Sequence, residues 1–81
     1  MEVEERLEMS RVLLDELERL TGQLTPNNKE LPEIIAKSLQ LKVKMSLFYI
    51  RYQPQELIDQ MELLDSVIKQ LKELNNKRGY Q

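Results

Sequence analysis

Apolar residues gather along the chain in three stretches separated by proline-containing breaks. In the first, Val3, Leu7, Leu14 and Leu17 recur, with Leu13, Leu20 and Leu24 widening the lower part of the stripe. Steps of three and four put these side chains on one face of a helix. Neither Gly nor Pro interrupts the stretch before Thr21, so propensity agrees with pattern. Glu2, Glu4 and Glu5 stand where the free amides of a first turn favour negative charge. Gly22 suits a left-handed closing residue. The spacing predicts a helix over about 2–21.

The third stretch is the cleanest. Leu57, Met61, Leu64, Ile68 and Leu71 recur at 4-3-4-3, joined by Ile58, Val67 and Leu74, while Asp59, Glu62, Lys69, Lys72 and Glu73 fall mostly off the stripe. Pro54 suits the first helical position and biases Gln53 away from helical angles. Asp65 and Lys69 are spaced to pair. Asn75, Asn76 and Gly79 mark a fraying end, with the last few residues expected to be disordered. A helix over about 55–75 is predicted.

The middle stretch supports two readings. From Leu39 to Leu47 apolar and polar residues alternate strictly, the signature of a half-buried strand. On a helical wheel, Ile34, Leu41, Met45, Phe48 and Tyr52 share a face beside Ile35, Leu39, Val43 and Ile50, while Lys37, Gln40, Lys44 and Arg51 take another. No second strand-like run exists to pair with a strand here, so that reading requires an intermolecular ribbon. We favour a helix over about 32–53, with an apolar arc wide enough to sit between two others. Leu31 is placed just outside it. The break before it, with Pro26, Asn27 and Asn28, reads as a turn in a linker of about ten residues. Lys42 interrupts the arc and must snorkel, pair with a carboxylate or mark a docking seam. Ser38 and Ser46, one turn either way, are small enough to make that strip a contact groove.

Charge changes the picture modestly. The chain has 81 residues and net charge -2, but residues 1–24 carry seven acidic and three basic groups and residues 25–53 two and five. Packing the middle segment on the first is therefore electrostatically sensible. The longest apolar run, Leu47 to Ile50, is far short of a bilayer span, and the acidic N-terminus is unlike a signal peptide. Cytoplasmic residence is the expectation.

Composition narrows the chemistry. With no His and no Cys, the usual general bases, nucleophiles and soft metal ligands are missing. The carboxylate pairs Asp15 with Glu16 and Glu62 with Asp65 read as solvated helix faces, for want of an apolar pocket to raise a pKa. Gly22 and Gly79 stand alone, so no phosphate-binding loop exists. No enzyme activity, metal or cofactor is expected.

Binding remains. Phe48, Tyr49 and Tyr52 beside Arg51 combine residue types enriched in binding hot spots; the plainer reading makes Phe48 a core plug capped by Tyr52, with Tyr49 outward. The expectation is an all-α domain spanning 1–81, a small three-helix bundle or a helical hairpin with an extra helix, open to completion by dimerisation. Its function is non-enzymatic protein–protein interaction, as an adaptor, small chaperone or assembly subunit packing an apolar groove on a partner helix in coiled-coil fashion. Leu39, Lys42, Val43, Phe48, Tyr49, Ile50 and Arg51 are the candidate partner-binding residues, and the partner is another protein or a second copy. The alternative is a small DNA-binding regulator, or an antagonist of one. It would use the basic face of Lys37, Lys44 and Arg51, or a ribbon presenting Gln40, Lys42, Lys44 and Ser46 to a major groove. An acidic overall balance weighs against nucleic acid.

Overall fold

The computed structural model describes residues 2–77, and they form three helices: α1 (Glu2–Gln23), α2 (Leu31–Arg51) and α3 (Gln55–Lys77). The chain is all-α, a small three-helix bundle in which short connections force each helix to run against the one before it. Residues 39–47 lie wholly within α2, so the intermolecular strand, and the ribbon built on it, are overturned. The alternation has a helical explanation. Residues two apart lie about 200° apart around a helix, so alternating apolar positions put apolar side chains on two nearly opposite faces.

Element ends shift for local reasons. Gly22 is not in a left-handed conformation; it continues the helix, and α1 runs to Gln23. The connection is shorter than expected, because Asn28 folds it tightly. Asn28 N–H donates to the Thr25 carbonyl at 3.1 Å, and Asn28 Oδ1 accepts from Glu30 N–H at 2.8 Å. That turn brings Leu31 inside α2, where it is fully buried rather than outside the helix. At the other end α2 stops at Arg51, two residues early. Tyr52 is extended and its N–H still donates to the Phe48 carbonyl at 2.9 Å. The chain needs residues 52–54 to reverse, and Pro54 disfavours helical angles at Gln53. Asn75 and Asn76 remain helical in α3. The expectations about Gly79 and the last residues fall outside the described residues.

The core forms two connected groups along α3. Leu7, Leu14, Met45, Leu57, Leu64 and Ile68 make one; Leu31, Val67 and Leu71 make the other, with Leu17, Leu24, Ile34, Ile35 and Leu74 packed around it. Both groups depend on α3, which packs against α1 and against α2, whereas α1 and α2 barely meet. The helix lying between two others is therefore α3, not α2. Ser38 explains part of this. It is fully buried, its hydroxyl donates to the Ile34 carbonyl at 2.8 Å, and its small side chain lets α2 lie close to a neighbour. Of the strip expected to be a contact groove, Ser38 is thus taken up inside the bundle, while Lys42 stays exposed and Ser46 half-buried.

Charge pairing follows the same hub. Arg11 on α1 pairs with Glu56 on α3, and Lys42 on α2 with Asp65 on α3 at 2.7 Å. Asp65 takes Lys42 rather than the Lys69 expected from spacing. Among the described residues no ion pair joins α1 to α2, so their opposite charges do not pack on each other as the sequence suggested. The outcome is an elongated rod, 48 × 19 × 17 Å. Its radius of gyration is 13.7 Å, against about 12 Å for a compact chain of this length.

Candidate functional site

Because α1 and α2 both lean on α3 and hardly touch, the side of the bundle away from α3 is open. A groove of about 440 Å³ runs there, lined by Met9 and Leu13 of α1, Leu41, Lys44 and Phe48 of α2, and Leu57 of α3. Arg6 lies over the Phe48 ring, 5.7 Å from its centroid, a cation–π distance. This contact sets Arg6 level with Phe48. Phe48 also meets the Tyr52 ring, with centroids 5.0 Å apart and planes tilted by 40°.

The second apolar feature lies on α2 itself. Leu39, Val43, Leu47 and Ile50 follow each other at steps of four, four and three, and all are exposed, Ile50 by 75% and Leu47 by 63%. They are the outward half of the alternating run; Leu41 and Met45 are the inward half. Lys37, Lys44 and Arg51 form a row seven residues apart beside the stripe, and all three are exposed. Lys37 is held by Glu33 at 3.4 Å. On α1, Met9, Val12 and Leu13 are exposed by 64%, 56% and 52%, with Glu5, Glu8, Asp15 and Glu16 around them.

The expected partner-binding residues divide into three groups. Leu39, Val43, Ile50 and Arg51 stand at the surface. Phe48 and Tyr49 are half-buried against the main core group, so Tyr49 is not the outward aromatic; Ile50 is the outward neighbour. Lys42 keeps its ammonium at the surface in the Asp65 pair, one of the three roles its position allowed. Leu47, Met9 and Val12 join the exposed set without having been singled out, and Leu13, expected to widen the inward stripe of α1, is exposed with them because it lies on the flank of that stripe that α3 does not cover. The signal for Leu47 was present, since it continues the 39–43 step of four.

A buried polar group was also missed. Gln60 is 6% exposed. Its amide donates to the Leu7 carbonyl at 3.1 Å and to Glu56 at 3.0 Å. Its oxygen accepts from the Ser10 hydroxyl at 2.5 Å, a proton for which the Leu7 carbonyl competes at 3.1 Å. Position 60 shares a face with Val67 and Leu71, seven and eleven residues on, which is the pattern that could have revealed it. The network continues to Arg11, whose pKa is raised by its hydrogen bond to Glu56 and by that carboxylate's charge, with Glu8 adding to it. Arginine is charged at any ordinary pH, so Arg11 and Glu56 form a standing surface ion pair between α1 and α3. Among the described residues no three Asp or Glu side chains gather as a metal cage, and no helix is long and apolar enough to cross a membrane.

Compared with protein families, with curated proteins and with solved structures, the chain finds no match.

Proposed function

We propose that this protein is a protein–protein interaction module that packs the apolar face of α1 and α2 against a partner helix. The observation carrying this reading is the exposed stripe of Leu39, Val43, Leu47 and Ile50. Scattered surface apolar residues need no explanation, but four in helical register on one element form a contiguous strip. A strip one helix wide matches the apolar side of an amphipathic helix, whose own anchors recur at three and four. The neighbouring groove, with Met9, Leu13 and Phe48, offers such a helix a second line of contact. Arg51 and Lys44 at the rim would set orientation and encounter rate more than affinity.

Site-specific photocrosslinking tests the reading. A photoreactive side chain at Val43 or Leu47, in the cells that make the protein, is expected to capture a defined protein through an amphipathic helical segment. The same probe at Glu73, exposed on α3, should capture none. Equal labelling from both sites, or none from α2, defeats the proposal.

A further inference from the structure

We propose that the occupant of this face is a second copy of the same chain, in a closed dimer with its two-fold axis parallel to the helices. The inference rests on the docking reading just given and commits it to one partner. Three observations carry it. First, seven large apolar side chains on α1 and α2 are between 39% and 75% exposed. Together they offer on the order of 700 Å² of surface, against the roughly 800 Å² per partner of a stable interface. Neither helix offers enough alone, so an occupant must cover both.

Second, the two helices carry opposite charge. Seven acidic and three basic residues lie on α1, one acidic and four basic on α2. No ion pair joins them within the chain among the described residues, because α3 holds them apart. A second copy presents to each helix the helix of opposite sign.

Third, the register agrees. An axis parallel to the helices preserves height along the rod, so α1 of one copy lies antiparallel on α2 of the other at the level it already occupies. That level is fixed by Arg6 over Phe48, and Leu13 and Leu41 line the same groove. The α1 row Glu5, Met9, Val12 and Glu16, spaced 4-3-4, then falls opposite α2 of the other copy. Met9 and Val12 meet Val43 and Leu47, Glu5 comes level with Arg51, and Glu16 with Lys37. Apolar centres and charged ends coincide twice, once for each crossing.

Sedimentation equilibrium of the purified full chain from micromolar concentrations upward tests this. A mass of twice 9.7 kDa is expected. Arg51→Glu with Lys37→Glu should weaken the dimer at least ~10-fold, as should Glu5→Lys with Glu16→Lys, because each sets like charges face to face. One chain carrying all four changes should recover the dimer. Circular dichroism melts check that each variant folds. Should any fail, the exposed-site double variant Val43→Gln with Leu47→Gln serves instead and should be monomeric. A monomer at every concentration overturns the second copy as occupant while leaving the photocrosslinking result to judge the docking reading. A dimer indifferent to both reversals overturns this arrangement.

Discussion

Helices α2 and α3 are nearly equal in length, 21 and 23 residues, yet they use their apolar residues in opposite ways. On α3 each apolar residue from Leu57 to Leu74 is buried or half-buried. On α2, Ala36, Leu39, Val43, Leu47 and Ile50 are exposed, although its sequence is the more apolar of the two. The difference lies in arc width. The apolar arc of α3 is covered from two sides by its neighbours, which leaves most of its polar residues for solvent. The arc of α2 is wider than one neighbour can cover, and α3 takes only the side of Ser38 and Met45. Total hydrophobicity thus does not decide which helix is central; a stripe that two neighbours can cover does.

The sharpest way to break the comparison is at Leu64, which is fully buried on α3 within the main core group. Leu64→Ala should lower unfolding free energy by about 2–5 kcal/mol. A chain of this length has roughly 4–12 kcal/mol in total, so much of the fold would be lost in a urea titration. A loss under about 1 kcal/mol would mean that α3 is not the hub. Gln60→Ala comes next. It strips the Leu7 carbonyl and Ser10 of a buried partner, and should cost about 1–3 kcal/mol. An unchanged denaturation midpoint would show that the network linking α1 to α3 contributes nothing net.

These two positions also mark what can be read from residues alone. Three helices, the α3 stripe and the inward face of α1 follow from periodicity, because a 3.6-residue repeat has one structural solution over twenty residues. Leu64 was visible in that way. Gln60 was less so, since a polar residue inside a stripe reads as an interruption until its partners, some fifty residues earlier, are known. The role of α2 was hidden for a different reason. Its alternating run satisfies strand and helix patterns alike, and only the position of α3 selects which half of the arc turns inward. Leu31 was misplaced because the Asn28 turn, rather than propensity, decides where α2 starts. Of the candidate face, Leu39, Val43 and Ile50 could be picked out from their place on the wheel. Met9 and Val12 could not, because nothing in α1 alone says that α2 will stand apart from it.

The Lys42–Asp65 pair tests the contact between the two compared helices at its edge. Both side chains are about half exposed, 46% and 56%. A double-mutant cycle with Lys42→Ala and Asp65→Ala should return a coupling of only ~0.2–1 kcal/mol, falling as salt rises. A coupling well above that range would show the pair to be desolvated, and α2 to lie deeper against α3 than the exposure of Lys42 indicates.

The smallest expected effect is the most discriminating, and it belongs to Val43. The side chain is 58% exposed and faces away from α3, so Val43→Gln removes little packing. Gln also has the better helix propensity, since the β-branch of valine restricts its rotamers in a helix. At concentrations too low for any association, the substitution should therefore leave stability within about 0.5 kcal/mol of the parent. The same substitution at high concentration should weaken whatever interface covers the stripe. Leu64→Ala has the reverse profile: a large loss that is the same at every concentration. Thermal melts of both variants at two protein concentrations separate the roles. If Val43→Gln destabilises the dilute chain as a core substitution does, the outward half of the α2 arc is packed within the bundle and no free apolar face exists for a partner to cover.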